Sequence, residues 1–164
     1  MKNNLMDISL RAITPENFRE CIALKVADAQ GKFVATNLMS IAQAKIYPTA
    51  NPLAVYAKDE IVGFVMYGFD TDDEKFYLVR LMIDEKHQGK GYGKAATLKV
   101  IELMKEIKDC REIFLSFVPE NTGAEKLYQN VGFERTGETS EVGEIIMRFD
   151  LNKSTNNERL IANN

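Results

Sequence analysis

The sequence predicts one α+β domain: a mixed, mostly antiparallel sheet of six to seven strands, flanked by about four helices. Three observations carry that expectation. Short apolar runs follow one another across tight charged turns, as in antiparallel hairpins. Helical stripes interrupt those runs both early and late in the chain. Residues 5–151 contain no repeat, no Pro- or Ser-rich linker and no break in composition, so one core is expected over 1–151 with a polar, flexible tail over 152–164.

In chain order, Ile8, Leu10 and Ala12 alternate with polar Ser9 and Arg11, the period of a half-buried strand. Thr14-Pro15-Glu16 reads as a helix start, with a Thr cap, Pro at the first helical position and an early acid. Phe18, Cys21, Ile22 and Val26 continue that helix. A second helix is expected over 37–46, with Leu38, Ile41, Ala42 and Ile46 as its apolar stripe, ended by Tyr47-Pro48. Residues 53–57 and 61–69 form a hairpin across Lys58-Asp59-Glu60, and 76–83 a third long strand after the charged loop 70–75. A glycine-rich segment, 88–93, leads into a helix over about 94–107. Residues 113–118 return as a strand, 122–130 form a short helix stopped by Gly132, and 133–138 and 144–151 close the sheet around Gly143.

Composition excludes several function classes. Hydrophobic residues make up 45% and charged residues 27%, the balance of a globular protein. A formal net charge of −3 gives no broad basic surface for nucleic acid. Cys21 and Cys110 lie far apart and His87 is the single histidine, too few ligands for a Cys/His zinc site; no metal is expected. The two thiols read as buried small hydrophobes in a reducing compartment. The N-terminus has no apolar signal core and the longest apolar runs are strand-sized, so a cytoplasmic protein with no membrane partner is expected.

The most informative stretch runs from Ile83 to Lys94. An apolar strand leads into Gly89, Gly91 and Gly93, which open a helix. Glycines let the backbone approach a ligand and aim N–H groups inward, while the helix N-terminus adds partial positive charge. The ligand implied is a phosphate or pyrophosphate, with Lys90 and Lys94 adding charge at the rim. A P-loop does not fit, because Gln88 stands where its first glycine belongs and Ala95 where its hydroxyl belongs. A dinucleotide fingerprint is matched by Gly91, Gly93 and Ala96, but 84–90 separate the strand from Gly91 and no acid ends the next strand. A plain glycine turn capping a helix is the bland alternative.

Here the sequence resembles the GNAT superfamily of N-acetyltransferases, whose signature is Gln or Arg, two residues, Gly, one residue, then Gly or Ala. Gln88, Gly91 and Gly93 match it. Downstream, Asn121, Ala124, Leu127-Tyr128 and Gly132-Phe133 match the family's second cofactor motif in order and spacing. The resemblance implies acetyl-CoA as acetyl donor. It places the pantetheine arm on the backbone of Leu81, Met82 and Ile83, and the pyrophosphate on Gln88, Gly89, Lys90, Gly91, Tyr92, Gly93 and Lys94. Asn121 then contacts the cofactor arm, and Tyr128 protonates the departing CoA thiolate. The family's chemistry is direct attack of an amine on the thioester in a ternary complex, with a small amine as partner; its frequent dimers make a homodimer the assembly to expect.

The resemblance narrows to bacterial spermine/spermidine acetyltransferases through residues 62–68 and 88–91. Members of that group carry an acid between the Leu and Arg of the long strand; here Leu78-Val79-Arg80 puts a valine there. The proton acceptor is therefore sought among Glu74, Asp84, Glu85 and His87, each with the alternative of a solvated loop residue. Glu74 is carried forward as catalytic base and acceptor contact, and Glu20 and Asp28 as further acceptor contacts beside the first helix. The acidic loop Asp70, Asp72, Asp73 and Glu74 attracts a polycation or merely solubilises a hairpin. Other acceptors (a protein N-terminus, an amino acid, an amine drug) and a non-catalytic acyl-CoA-binding module remain as alternatives.

Overall fold

A computed structural model describes residues 7–153. The described chain runs β1 (Ile8–Ala12), α1 (Phe18–Ala23), α2 (Asn37–Ile46), β2 (Ala50–Ala57), β3 (Glu60–Asp70), β4 (Lys75–Ile83), α3 (Tyr92–Lys105), β5 (Glu112–Phe117), α4 (Thr122–Val131), β6 (Glu134–Thr139) and β7 (Ile145–Asp150). Single-turn 3-10 helices lie at Asp28–Gln30 and Glu85–His87. Seven strands form one sheet in the order β1-β2-β3-β4-β5-β7-β6, antiparallel except between β4 and β5. The expected α+β architecture is what forms. No helix among the described residues is long and apolar enough to cross a membrane.

Helices cover the sheet on both faces, and the strands record this in their composition. β3 is buried continuously from Ile61 to Met66 instead of alternating, the mark of a strand covered on both sides. On one face α3 and α4 pack Ala96, Val100, Met104 and Tyr128 against Val62, Val65, Leu115 and Met147. On the other, α1 and α2 enclose Cys21, Phe64, Met66 and Met82. Both cysteines are buried free thiols. The edge strand β6 is almost wholly exposed and carries Glu134, Arg135 and Glu138, charges that discourage pairing with another sheet.

Three expectations needed correction. α1 starts at Phe18, not at Pro15, because Thr14 spends its carbonyl on a turn with Asn17 and Phe18. The helix also stops at Ala23, where Leu24 turns extended, and does not reach Val26. α2 has the expected bounds, with Thr36 Oγ1 capping Met39 N–H at 3.2 Å, but of its expected stripe only Ile41 packs inward. Leu38 and Ile46 are exposed, while Asn37 and Ser40 are buried. The reason is polar: Asn37 Nδ2 donates to the Cys21 carbonyl at 2.8 Å and fixes the helix by that face. At the C-terminus, Leu151 is buried and the N–H groups of Asn152 and Lys153 donate to Asp150 Oδ1, so the fold includes these three residues. The rest of the expected tail, 154–164, lies outside the described residues.

Candidate active site

β4 and β5 register only at Tyr77 and Phe114, and beyond that point they diverge. A bulge drives the divergence. On β3, Met66 faces Arg80 while the next residue, Tyr67, faces Leu78, so Val79 is extra and β4 bends there. The opened seam holds a cavity of about 890 Å³. Its walls come from both faces of the sheet: Leu127 and Tyr128 of α4 on one side, Val26 and Val34 on the other. A β4 edge lines it. Asp84 N–H donates to Val62 on β3 at 2.9 Å, so alternation turns the N–H and C=O groups of Ile83 and Leu81 away from β3, into the cleft. Met82, between them, sends its side chain into the core beneath α1 and α2.

At one end of the cleft the chain builds an anion cradle. Gly91 caps α3 with φ +84°, a left-handed conformation that glycine adopts without strain, and supplies no side-chain cap. The first N–H to find an intrahelical acceptor is that of Ala95, on Gly91 O at 3.1 Å. Helix geometry leaves the N–H groups of Tyr92, Gly93 and Lys94 without one, aimed out of the N-terminus. Gly89, Gly91, Tyr92, Gly93 and Lys94 all line the cleft. Gln88 lines it too, but its amide nitrogen is already committed to Gln30 Oε1 at 2.7 Å and to Ile83 O at 3.0 Å, so this side chain braces the loop. Lys90 turns away: its ammonium donates to Lys86 O at 3.3 Å on the exposed side.

Asn121 and Tyr128 sit opposite β4. Asn121 caps α4 by accepting from Ala124 N–H at 3.2 Å, so only its Nδ2 is left to donate to a ligand. Tyr128 lies between Phe117 and Phe133, with ring centroids at 6.3 and 5.7 Å. Burial pushes its phenol well above the usual tyrosine range, so it remains a hydrogen-bond donor at any physiological pH.

Residues 27–133 match the model of the acetyltransferase (GNAT) family. The spermine/spermidine N(1)-acetyltransferase of Bacillus subtilis strain 168 is 33% identical over 152 residues, covering 89% of this chain and all of the relative. The chain belongs to the GNAT family. Among solved structures, an aminoglycoside acetyltransferase in complex with coenzyme A superposes with a TM-score of 0.74 at 17% identity, over 89% of this chain and 96% of that one. A Vibrio cholerae spermidine N-acetyltransferase in complex with CoA and spermine gives 0.68 at 18%, over 86% and 92%. These two likenesses speak for the fold.

Within the GNAT cleft the expected acceptor residues fare less well. Glu74 sits in the β3–β4 hairpin at the far end of β4 and lines a separate groove with Phe69, Phe76 and Phe114. Glu20 and Asp28 are exposed and line neither cavity. The structure thus brings none of these three carboxylates to the cleft. Asp84 is buried, with Oδ1 accepting from Lys25 N–H at 3.1 Å and Oδ2 from Lys86 N–H at 3.2 Å, a brace between loops. Glu85 pairs with Lys25 Nζ at 3.1 Å. His87 does reach the cleft, held by Glu60 at 3.4 Å and edge-on to Tyr92. Val79 faces the cleft as a plain apolar wall. Among the described residues, no group of three or more His, Cys, Asp or Glu is placed to hold a metal ion.

Sequence reasoning missed Arg80, Ser116 and Glu144, which also line the cleft. Arg80 donates to Gln43 Oε1 at 3.3 Å and to its neighbour's carbonyl at 2.8 Å, while its buried Nε has no partner. Burial draws the guanidinium below its ordinary value and the charge of Glu144 opposes that shift. Ser116 Oγ donates to Glu144 Oε2 at 2.5 Å. No local motif announces these residues, since only the β5–β7 register and the β4 bulge bring them together.

Proposed function

We propose that this chain moves the acetyl group of acetyl-CoA onto a primary amine of a polyamine such as spermine or spermidine, or of a similar small amine, by direct attack in a ternary complex. The observation that carries the reading is the single cleft, which joins an N–H cradle, a free strand edge and a buried phenol. The unpartnered N–H groups at the start of α3 fit a pyrophosphate. The outward N–H and C=O groups of Leu81 and the N–H of Ile83, whose carbonyl already accepts from Gln88 Nε2, fit an amide-bearing arm laid down as an extra strand. Tyr128 then donates its proton toward the sulfur as the thiolate departs. The relative of known name that spans its whole length on this chain acts, by that name, on spermine and spermidine.

A second acceptor class has an observation in its favour. The cleft walls carry Lys32, Arg80 and Lys94 against one carboxylate, Glu144. Such a lining suits an amine whose body also bears a carboxylate, as in an amino acid or a peptide N-terminus, better than a highly charged polycation. Thiol release from acetyl-CoA against spermine, spermidine, diamines, amino acids and peptides decides between them. Turnover confined to polyamines supports the first reading, and turnover confined to amino acids or peptides replaces it.

A further inference from the structure

We infer that Glu144 is the carboxylate that receives the acceptor ammonium in the cleft and takes its proton before attack. The inference rests on the amine-acetyltransferase reading above. Among the described residues it is the one acid lining the cleft, and a cationic nucleophile entering a partly buried site needs such a partner.

Its position is set by the β5–β7 ladder. Phe117 registers with Ile145 and Ser116 with Ile146. Alternation puts Phe117 and Ile145 on the face shared with Tyr128, where all three pack in one core. Ser116, Ile146 and Glu144, two residues before Ile146, share the opposite face. That is the face of α2, whose Gln43 holds Arg80. The proton donor to sulfur and the carboxylate therefore reach one cavity from opposite faces of the sheet. Addition of an amine to a thioester carbonyl needs a base beside the nitrogen and a proton donor beside the sulfur, and the two groups are placed to serve one each.

Glu144 is also held firmly. Its N–H donates to Ser140 Oγ at 3.1 Å, and its carbonyl accepts from Ser140 N–H at 2.9 Å. The Ser116 hydroxyl fixes one carboxylate oxygen at 2.5 Å and leaves the other for a ligand. The charged or titratable groups that share its cleft are Arg80 of β4, Lys32, His87, Lys94 and Tyr128.

The proton balance closes. The ammonium gives one proton to Glu144, directly or through water, and from there it passes to solvent. The amine lone pair forms the C–N bond, the C–S bond breaks, and sulfur takes the Tyr128 proton. The nitrogen's second proton replaces the one Tyr128 gave, and the third stays on the amide.

The test compares wild type, Glu144→Gln, Ser116→Ala and the exposed turn variant Glu141→Gln, measuring kcat/KM for the best amine from pH 6.5 to 10, acetyl-CoA affinity by calorimetry, and melting temperature. The inference expects Glu144→Gln to lose about 10²- to 10⁴-fold in kcat/KM at pH 7, with acetyl-CoA affinity intact. The deficit should shrink as pH approaches that of the free amine, near 10, because solution then supplies the deprotonated nucleophile. Ser116→Ala should lose less, and Glu141→Gln nothing. Retained kcat/KM in Glu144→Gln, or a loss that stays constant with pH, overturns the assignment; should Glu144→Gln fail to fold, unchanged kinetics in Ser116→Ala overturn it. A wild-type protein that binds acetyl-CoA yet turns over no amine overturns the functional reading itself, and the inference falls with it.

Discussion

Gln88 and Gln30 meet side chain to side chain at 2.7 Å, and the same Gln88 amide nitrogen reaches the Ile83 carbonyl at 3.0 Å. One amide thus ties the loop before α2, the loop before α3 and the end of β4 into a single frame. The frame positions the N–H cradle before any ligand arrives. A neutral hydrogen bond contributes about 0.5–1.5 kcal/mol net. Gln30→Ala is therefore expected to weaken acetyl-CoA binding by about 2- to 10-fold. Gln88→Ala should weaken it further, since the Ile83 carbonyl also loses its donor. Titration calorimetry with acetyl-CoA checks the order; equal affinities in all three proteins refute the shared frame.

Gly91 separates backbone strain from charge. Its φ of +84° costs a side chain about 1–2 kcal/mol, though Asp and Asn tolerate this region and both cap helices well. Gly91→Asp and Gly91→Asn should hence fold alike. Only the aspartate puts a negative charge where the pyrophosphate is proposed to lie. Acetyl-CoA affinity is expected to drop at least about tenfold more in the Asp variant than in the Asn variant, and the difference should narrow at high salt. Equal affinities would remove the pyrophosphate from this helix end.

Gly63 on β3 packs under the cleft wall. A Cβ built there meets Met82 O at 2.5 Å and Ile83 Cδ1 at 2.8 Å, and the carbonyl cannot retreat without moving β4. Overpacking of this kind costs about 1–3 kcal/mol. Gly63→Ala is expected to lower the melting temperature by roughly 3–10 °C and to weaken acetyl-CoA binding together with it, because the displaced segment is the cleft edge.

The buried thiols give the fold an alkaline limit. Burial pushes both Cys21 and Cys110 up to about 11, from an ordinary value of 9.0. Between these values the unfolded chain has lost the thiol protons and the folded chain still holds them. The folded state binds more protons, so stability falls as pH rises through that window. Melting temperature is expected to decline between pH 9 and 11. A Cys21→Ala, Cys110→Ala variant should show a shallower decline over the same range; a parallel curve would assign the effect elsewhere.

Legibility in the sequence followed the range of the interactions. The glycine loop that opens α3 and the Leu127-Tyr128 pair on α4 are local patterns on one turn or helix, and the structure builds both elements. The strands were legible from their apolar runs, with bounds moved by a residue or so at most ends. The stripe of α2, of which only Ile41 packs inward, misled because apolar periodicity does not say which face a buried Asn37 will claim. The acceptor side was hidden for a deeper reason. Arg80 lies on β4, Ser116 on β5 and Glu144 just before β7, joined by a bulge at Val79 and a register between β5 and β7 that no window of sequence contains. Glu74 looked close to the long strand in sequence, but it is the end of β4 remote from Ile83.

Tyr128 tests the chemistry most directly. Phe117 and Phe133 hold its ring from two sides, so Tyr128→Phe keeps the packing and removes only the hydroxyl. Burial raises the phenol above its ordinary value, whereas a free thiol titrates near 8.5. The phenol is thus the weaker acid, and its contribution comes from a hydrogen bond that strengthens as negative charge gathers on sulfur, with transfer completed as the nitrogen proton returns. Tyr128→Phe is expected to lower kcat about 10²- to 10⁴-fold, while acetyl-CoA affinity and melting temperature stay close to wild type. Because the phenol stays protonated, the wild-type rate should show no alkaline limb from Tyr128 below about pH 10. Steady-state kinetics with a donor of better leaving group supply the decisive comparison. An aryl thioester expels a more stable thiolate and needs the hydroxyl less, so the deficit of Tyr128→Phe should shrink with it. A deficit of equal size with both donors would show that the hydroxyl orients the substrates and does not stabilise the leaving sulfur.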